Sequence, residues 1–405
     1  ALEAIKNNQK TVYIVRGGPG TGKSVVAINL LAECIHNGYM AQYITSNAAP
    51  RNVYSAMLQQ GYKKSEIKAL FQSSGTFHTR KKNDLQIAIV DEAHRLRKKS
   101  GMFQNQGEDQ VKEIINASIF SVFFIDRNQR VTFNDAGTID KIRNFAQDQN
   151  TLIYEGVLES QFRCNGSDGY LAWIDNALQI AETANYDGFE GDYDFKIFDN
   201  PHDMYNAIKT KNNINNKSRI LAGYCWDWPK EGRTTSLIKD IQIPEYNFGI
   251  SWNLGNSDTY AIDPDSINEA GCIHTTQGLE FEYVGVIIGD DLRYEDGKLI
   301  VDINKRAKTD QSIKGIKKLL KENPTEAHRI ANEIVKNTYR TLMTRGQKGC
   351  YIYCTNKGLS DYFKLIYNHQ LSYTYEQSTL SKSDQLVADI PSSDIDITEI
   401  NPHKI

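Results

Sequence analysis

The 405-residue sequence lacks an excess of either charge: 47 Lys and Arg stand against 50 Asp and Glu, a formal net charge of −3. That excludes a histone-like protein that holds nucleic acid by bulk charge, and leaves open a local basic groove on a near-neutral body. Cysteine is scarce and scattered, at Cys34, Cys164, Cys225, Cys272, Cys350 and Cys354, with no Cys-x-x-Cys pair. A structural zinc site or disulfide framework is therefore not expected, and a reducing, cytoplasmic interior is the default. No apolar run approaches the roughly 18 residues of a membrane span, so no membrane partner is expected. The opening Ala1-Leu2-Glu3-Ala4 reads as folded sequence rather than a secretory leader. What is present is ordinary for a globular protein, with 40% hydrophobic and 24% charged residues. At about 100–200 residues per domain, the length suggests two to three domains.

The N-terminal third alternates short apolar runs with amphipathic stretches. Thr11–Val15, Met40–Thr45, Leu85–Val90, Ile119–Ile125 and Thr151–Tyr154 read as strands, and Ser24–His36 as a helix. Strands separated by helical stretches imply βαβ units and a parallel sheet. The pattern then restarts, with a boundary near Asn150–Glu159. Tyr170–Thr183 and Thr325–Thr338 read as helices, and Arg219–Tyr224, Ala270–His274, Tyr283–Ile288 and Gly349–Cys354 as strands. Asn- and Lys-rich Lys209–Lys217 reads as a surface loop, and charged Asp290–Lys308 as an insertion. From about Gln370 the chain turns Ser-, Asp- and Thr-rich. That stretch carries two Lys against six acidic residues, a net of −4, which leaves the preceding body near +1.

Gly17-Gly18-Pro19-Gly20-Thr21-Gly22-Lys23-Ser24 follows the first strand and opens the first helix. It fits the pattern G-x-x-x-x-G-K-[ST], whose glycines let backbone N–H groups point at phosphate oxygens beside a helix N-terminus. Lys23 would reach the β- and γ-phosphates, and the Ser24 hydroxyl would bind Mg²⁺. Ile87-Ala88-Ile89-Val90-Asp91-Glu92-Ala93-His94 is an apolar strand ending in two carboxylates. Such an end faces the crevice where open α/β sheets bind ligands. Asp91 can hold Mg²⁺ through water, and Glu92 can orient and deprotonate an attacking water. An adjacent Glu favours nucleotide hydrolysis over a metabolite kinase, which must keep water away.

At this point the sequence resembles the superfamily 1 helicases, and more narrowly the helicase-like domain shared by group III Schlafen proteins and bacterial proteins. The resemblance runs from about Thr11 to Cys354, with the motifs in the family's order. Ile125-Asp126-Arg127-Asn128-Gln129 looks like the third motif, in which the Gln129 amide senses the γ-phosphate or water. Leu158-Glu159-Ser160-Gln161-Phe162-Arg163 resembles the fourth, which supplies Arg163. Gly271-Cys272-Ile273-His274-Thr275-Thr276-Gln277-Gly278-Leu279-Glu280 resembles the fifth, with the Gly278 N–H facing phosphate and Glu280 reaching the ribose. Asn337–Gly346 resembles the sixth, with Arg345 as the arginine finger. Tyr43-Ile44-Thr45-Ser46-Asn47 and the loop holding His78 resemble strand-contacting motifs, as do His274 and Thr275. Trp226, Trp228 and Trp252 either stack on bases or pack within the second unit.

The resemblance implies two RecA-like P-loop domains with parallel sheets and an ATP site in the cleft between them. The first would span residues 1–155, the second 156–369, with 370–405 as a flexible acidic tail. Catalytic groups would be Lys23, Asp91, Glu92, Gln129, Arg163 and Arg345. ATP would be held by Gly18, Pro19, Gly20, Thr21, Gly22, Lys23, Ser24, Gly278 and Glu280, with Mg²⁺ on Ser24 and Asp91. The implied activity is an ATP-dependent motor on single-stranded DNA or RNA, closed by nucleotide and reopened by phosphate release. The alternative is a nucleic-acid-responsive ATPase switch without strand separation, as a module of a larger protein. A GTPase is disfavoured, because Asn356-Lys357-Gly358-Leu359 lacks the Asp of a guanine-specific motif. Only about 16 residues precede Gly17, and Gln9 sits too close to the first strand to select adenine. Two explanations stay open: an excised piece of a longer protein that has lost an N-terminal domain, or a chain whose Met was cleaved.

Overall fold

The computed structural model describes residues 2–18, 20–59, 61–101, 105–126, 129–159, 168–181, 189, 193–227, 235, 237–254 and 259–368. Pro19, Arg163, Trp228 and the acidic stretch from 370 lie outside the described residues. The chain builds two sheets. The first takes β1 (Thr11–Gly17), β2 (Ala41–Thr45), β3 (Phe71–Ser73), β4 (Leu85–Val90), β5 (Ser118–Ile125) and β6 (Leu152–Leu158) in the order β3-β2-β4-β5-β1-β6. Every pairing in it is parallel.

Alternation along the strands sorts their side chains between two covered faces. Val12, Ile14, Ala88, Val90, Phe123 and Ile125 pack under helices Gln110–Ala117 and Ile139–Asp148. Ile87, Ile89, Val122 and Phe124 pack under helix Lys23–His36, through its Ala27, Leu31 and Cys34. The strands' near-continuous apolar runs follow from burial on both sides. β6 pairs with β1 as far as Leu158, so the first unit reaches the end of the Asn150–Glu159 window.

The second sheet takes β7 (Asp194–Phe198), β8 (Ser218–Ala222), β9 (Ile241–Ile243), β10 (Phe248–Trp252), β11 (Glu269–Gly271), β12 (Phe281–Ile288) and, after a hairpin, β15 (Gly346–Cys354). Its order is β7-β15-β12-β8-β11-β10-β9, parallel except for the β9–β10 pair. The charged insertion supplies the hairpin β13 (Leu292–Glu295) and β14 (Lys298–Val301). The α/β class with two sheets of mostly parallel strands, expected from sequence, is what the chain adopts. No helix among the described residues is long and apolar enough to cross a membrane.

Four local readings change. Lys209–Lys217 is mostly the end of a helix, Pro201–Asn215, which buries Met204, Ile208 and Asn212 on one face. Ala270–His274 is a strand only to Gly271; Ile273–Thr276 is helical, because the Thr275 hydroxyl accepts the Cys272 N–H at 2.9 Å. The helix read as Tyr170–Thr183 is Asp168–Ala177. The one read as Thr325–Thr338 runs from Pro324 to Met343, so most of the sixth motif lies inside a helix.

Candidate functional site

The Gly17–Ser24 loop leaves the carboxyl end of β1, and the two acids leave the carboxyl end of β4. β5 lies between those strands and delivers Asp126 and Gln129 to the same edge. This is the sheet edge at which parallel α/β folds gather ligand-binding groups. Gly22, at φ 79°, caps helix Lys23–His36 in a conformation that glycine adopts without strain. The Lys23 ammonium folds back to donate to Gly17 O at 2.9 Å and Gly18 O at 2.6 Å, and stands 3.7 Å from Asp126 Oδ2. It is thus a buried cation held by loop carbonyls.

Asp91 and Glu92 are both buried. Tyr43 donates to Asp91 Oδ2 at 2.6 Å, and the Glu92 N–H donates to Oδ1 at 2.9 Å. Burial and then the Glu92 charge push the Asp91 carboxyl up; hydrogen bonds from Tyr43, Ser24 and the Glu92 N–H pull it back. Burial also opposes charge on Glu92, but His94, 2.9 Å from Oε2, together with Lys23 and Arg345 holds that carboxyl well below its ordinary range. Glu92 is therefore a carboxylate at neutral pH. Its backbone sits at φ 53°, an uncommon strained position for a non-glycine residue.

From the second sheet, the loop after Thr276 closes over these groups. Gly20, Gly22, Lys23, Ser24, Glu92 and Gln129 share one cavity of about 190 Å³ with Gly278, Leu279 and Glu280. Gly278, at φ +83°, is pressed against the first lobe: an added Cβ would lie 2.7 Å from Pro50 Cγ. The Gln129 Oε1 atom is buried with no hydrogen-bond partner among the described residues. A second recess of about 730 Å³ continues from Gly20, Gly22 and Glu280 to Val25, Val157, Leu158 and Gln347. Val25 and Val157 are exposed there, 64% and 54%, although apolar.

Arg345 does not line the cavity. Its guanidinium is buried behind it, donating to Thr341 O at 3.0 Å and Leu279 O at 3.2 Å. Thr21 lines the recess, and its hydroxyl donates to Gly18 O at 3.1 Å. Of the residues read as strand contacts, Ser46 and His274 line a common groove. Thr45 is wholly buried, Asn47 donates to Gln277 O at 2.8 Å, and the Thr275 hydroxyl is spent on Cys272. His78 hydrogen-bonds Gly75 O at 2.9 Å, outside the groove lining. Trp252 is fully buried edge-on to Tyr224, a core residue rather than a base platform, and Trp226 packs against the same core.

Sequence reasoning missed a buried relay between the lobes. Gln277 Nε2 lies 3.4 Å from Glu92 Oε2 and 3.1 Å from His94 Nε2, while Gln277 Oε1 accepts from Arg95. Arg95 also bonds Asp135 at 3.2 Å, and its other terminal nitrogen is 3.4 Å from His274 Nδ1. Burial, then the Arg95 charge, holds His274 down to about 4. A guanidinium only donates, so Arg95 fixes which way the Gln277 amide faces.

Residues 10–356 match the family model of the Schlafen group 3 DNA/RNA helicase domain. The chain belongs to that family. It is 24% identical over 394 residues to an uncharacterized protein of Saccharomyces cerevisiae, covering 86% of this chain and 83% of that one. Among solved structures, the Schlafen-type chain is similar to an arterivirus nonstructural protein 10 helicase solved with DNA. That match has 13% identity and a TM-score of 0.36, covering 90% of this chain and 65% of that one. Another is Pif1 helicase from Candida albicans, with 11% identity and a TM-score of 0.33, covering 90% and 97%.

Proposed function

We propose that this Schlafen-type helicase domain hydrolyses ATP at the cavity between its two sheets and couples hydrolysis to holding single-stranded DNA or RNA. The observation that carries the reading is the shared cavity: Lys23, Ser24, Glu92 and Gln129 from one sheet face Gly278 and Glu280 from the other. The phosphates lie on the loop N–H groups and Lys23, and the base and ribose occupy the adjoining recess beside Val25, Val157 and Glu280. Ser24 and Asp91 fit a hard divalent ion, since a buried carboxylate whose charge burial disfavours stands beside a hydroxyl. Mg²⁺ held there would neutralise charge on the β- and γ-phosphates.

Glu92, kept ionised, accepts the proton of the attacking water, and Gln129 Oε1 orients that water. Arg345 braces the Leu279 carbonyl, so the loop carrying Gly278 and Glu280 stays against the phosphates. Gln277 ties that loop to Glu92, which makes hydrolysis depend on the lobes being together.

The test is steady-state ATPase with and without single-stranded DNA and RNA, followed by strand separation on tailed duplexes. Lys23→Ala should abolish nucleotide binding, and Glu92→Gln should bind ATP but lose at least about 10²-fold in turnover. Stimulation without strand separation points to a switch; no hydrolysis by a folded wild type defeats the reading.

A further inference from the structure

The charged stretch read from sequence as an insertion, Asp290–Lys308, is built into the second lobe, and the chain carries on from it to a tip at residues 311–315. After β14 it runs back toward the first lobe on a fixed course. The Arg306 guanidinium, wholly buried, pairs with Asp291 Oδ2 at 2.8 Å and Asp310 Oδ2 at 2.6 Å, and donates to Ser312 Oγ at 3.2 Å. Asp310 in turn accepts from the Ser312 N–H and hydroxyl, both at 2.8 Å. The Ala307 N–H donates to Tyr224 O at 2.8 Å, and the Lys308 N–H to Asp227 Oδ1 at 2.7 Å. A buried charge triad is a poor source of stability, and its best attested use is to fix one geometry. Here that geometry presents Gln311, Ser312 and Lys314 to the first lobe.

The tip lands on the segment that follows Gln129. The Phe133 N–H donates to Ser312 O at 2.6 Å, and Gly315, at φ +101°, packs on the Phe133 ring. Between the tip and the first lobe lies a groove of about 580 Å³, lined by Ser46, Ser74, Arg97, Lys99, His274 and Lys314 among others, with no carboxylate among its described lining residues. Arg97, Lys99 and Lys314 have no ion-pair partner among the described residues. His274 is the one aromatic ring among the described lining residues, and it is already packed beside Tyr224.

We propose that the insertion tip is the second wall of a phosphate-binding groove. Gln311 and Lys314, held in place by the buried Ser312, grip the sugar-phosphate backbone of a single strand against Arg97 and Lys99, without stacking on its bases. The inference rests on the reading that the domain engages a single strand. It adds which segment holds that strand: the insertion tip, acting on the backbone whatever the sequence.

The experiment is fluorescence anisotropy with labelled oligo-dT and oligo-dA across a salt series, on wild type, Arg97→Ala, Lys314→Ala and Lys314→Glu. Melting curves and nucleotide affinity serve as fold controls. Lys314→Ala should weaken both oligomers by the same factor and reduce the salt slope by about 0.7. Lys314→Glu should weaken them at least about tenfold. If Arg97→Ala weakens binding but both Lys314 variants leave it unchanged, the groove reading stands and the insertion wall is overturned. A loss on oligo-dA but not oligo-dT overturns backbone recognition. If the folded wild type binds neither oligomer, the strand-engagement reading itself fails and the wall with it.

Discussion

Gly278→Ala separates a contact between the lobes from a local backbone cost. Position 278 sits at φ +83°, and a methyl group there would lie 2.7 Å from Pro50 Cγ on the opposite lobe. The left-handed backbone costs an L-residue about 1–2 kcal/mol whether the lobes are together or apart. The clash costs about 1–3 kcal/mol only when they are together. That second part penalises closure, so apparent nucleotide affinity should fall about 5- to 150-fold. Pro50→Ala removes Cγ and leaves the Pro50 Cβ position at 3.7 Å, an ordinary contact. The double variant should therefore recover most of the affinity while keeping the small loss in melting temperature from the backbone. The assay is titration with a fluorescent ATP analogue, with turnover measured in parallel on all four members of the cycle. Unchanged affinity in Gly278→Ala, or no recovery on adding Pro50→Ala, would refute the placement of nucleotide between the lobes.

Further outcomes follow from the same geometry. Arg345→Ala unbraces the Leu279 carbonyl and with it the loop carrying Gly278 and Glu280, so nucleotide affinity and turnover should fall together, by about 5- to 150-fold. It should also cost about 1–3 kcal/mol of stability from the buried Leu279 carbonyl it leaves unbonded, whereas the Thr341 carbonyl keeps the Thr344 hydroxyl at 3.2 Å; full turnover would remove Arg345 from the mechanism. His274, held at about 4, stays neutral in the fold while the unfolded residue titrates at its ordinary 6.5. Between those values the unfolded state binds the extra proton, so stability should fall as pH drops from 6.5 to 4. Denaturant melts of His274→Asn across that window should show a shallower decline than wild type, and an identical slope would place the acid sensitivity elsewhere.

The Gly17–Ser24 loop and the Asp91-Glu92 pair are legible as neighbours at one sheet edge because their information is local: an apolar strand, a turn of fixed chemistry and a helix start within a few residues. The relay is not. Gln277 and Arg95 stand 182 positions apart and meet only because the lobes pack, so no spacing rule marks them. Arg345 was legible as a residue but not in its placement, because the helix end at Met343 turns its guanidinium into the Thr341 and Leu279 carbonyls. Helix Pro201–Asn215 was misread from its Asn- and Lys-rich end. Its start carried the signals, an Asn200 side chain capping the His202 N–H and Pro201 in the first turn, with Met204 and Ile208 one turn apart. Lys314 is not legible, because it lies past the charged Asp290–Lys308 stretch and next to Lys317 and Lys318, which look the same in sequence; only the buried Arg306 cluster shows where it is held.

The most direct measurement is phosphate release from ATP by the wild type and by Glu92→Gln, each with and without a single-stranded oligonucleotide. The account predicts Mg²⁺-dependent hydrolysis that the strand accelerates in the wild type, and ATP bound without turnover in the variant. Equal hydrolysis by both proteins, or a strand that leaves the wild-type rate unchanged, would contradict it.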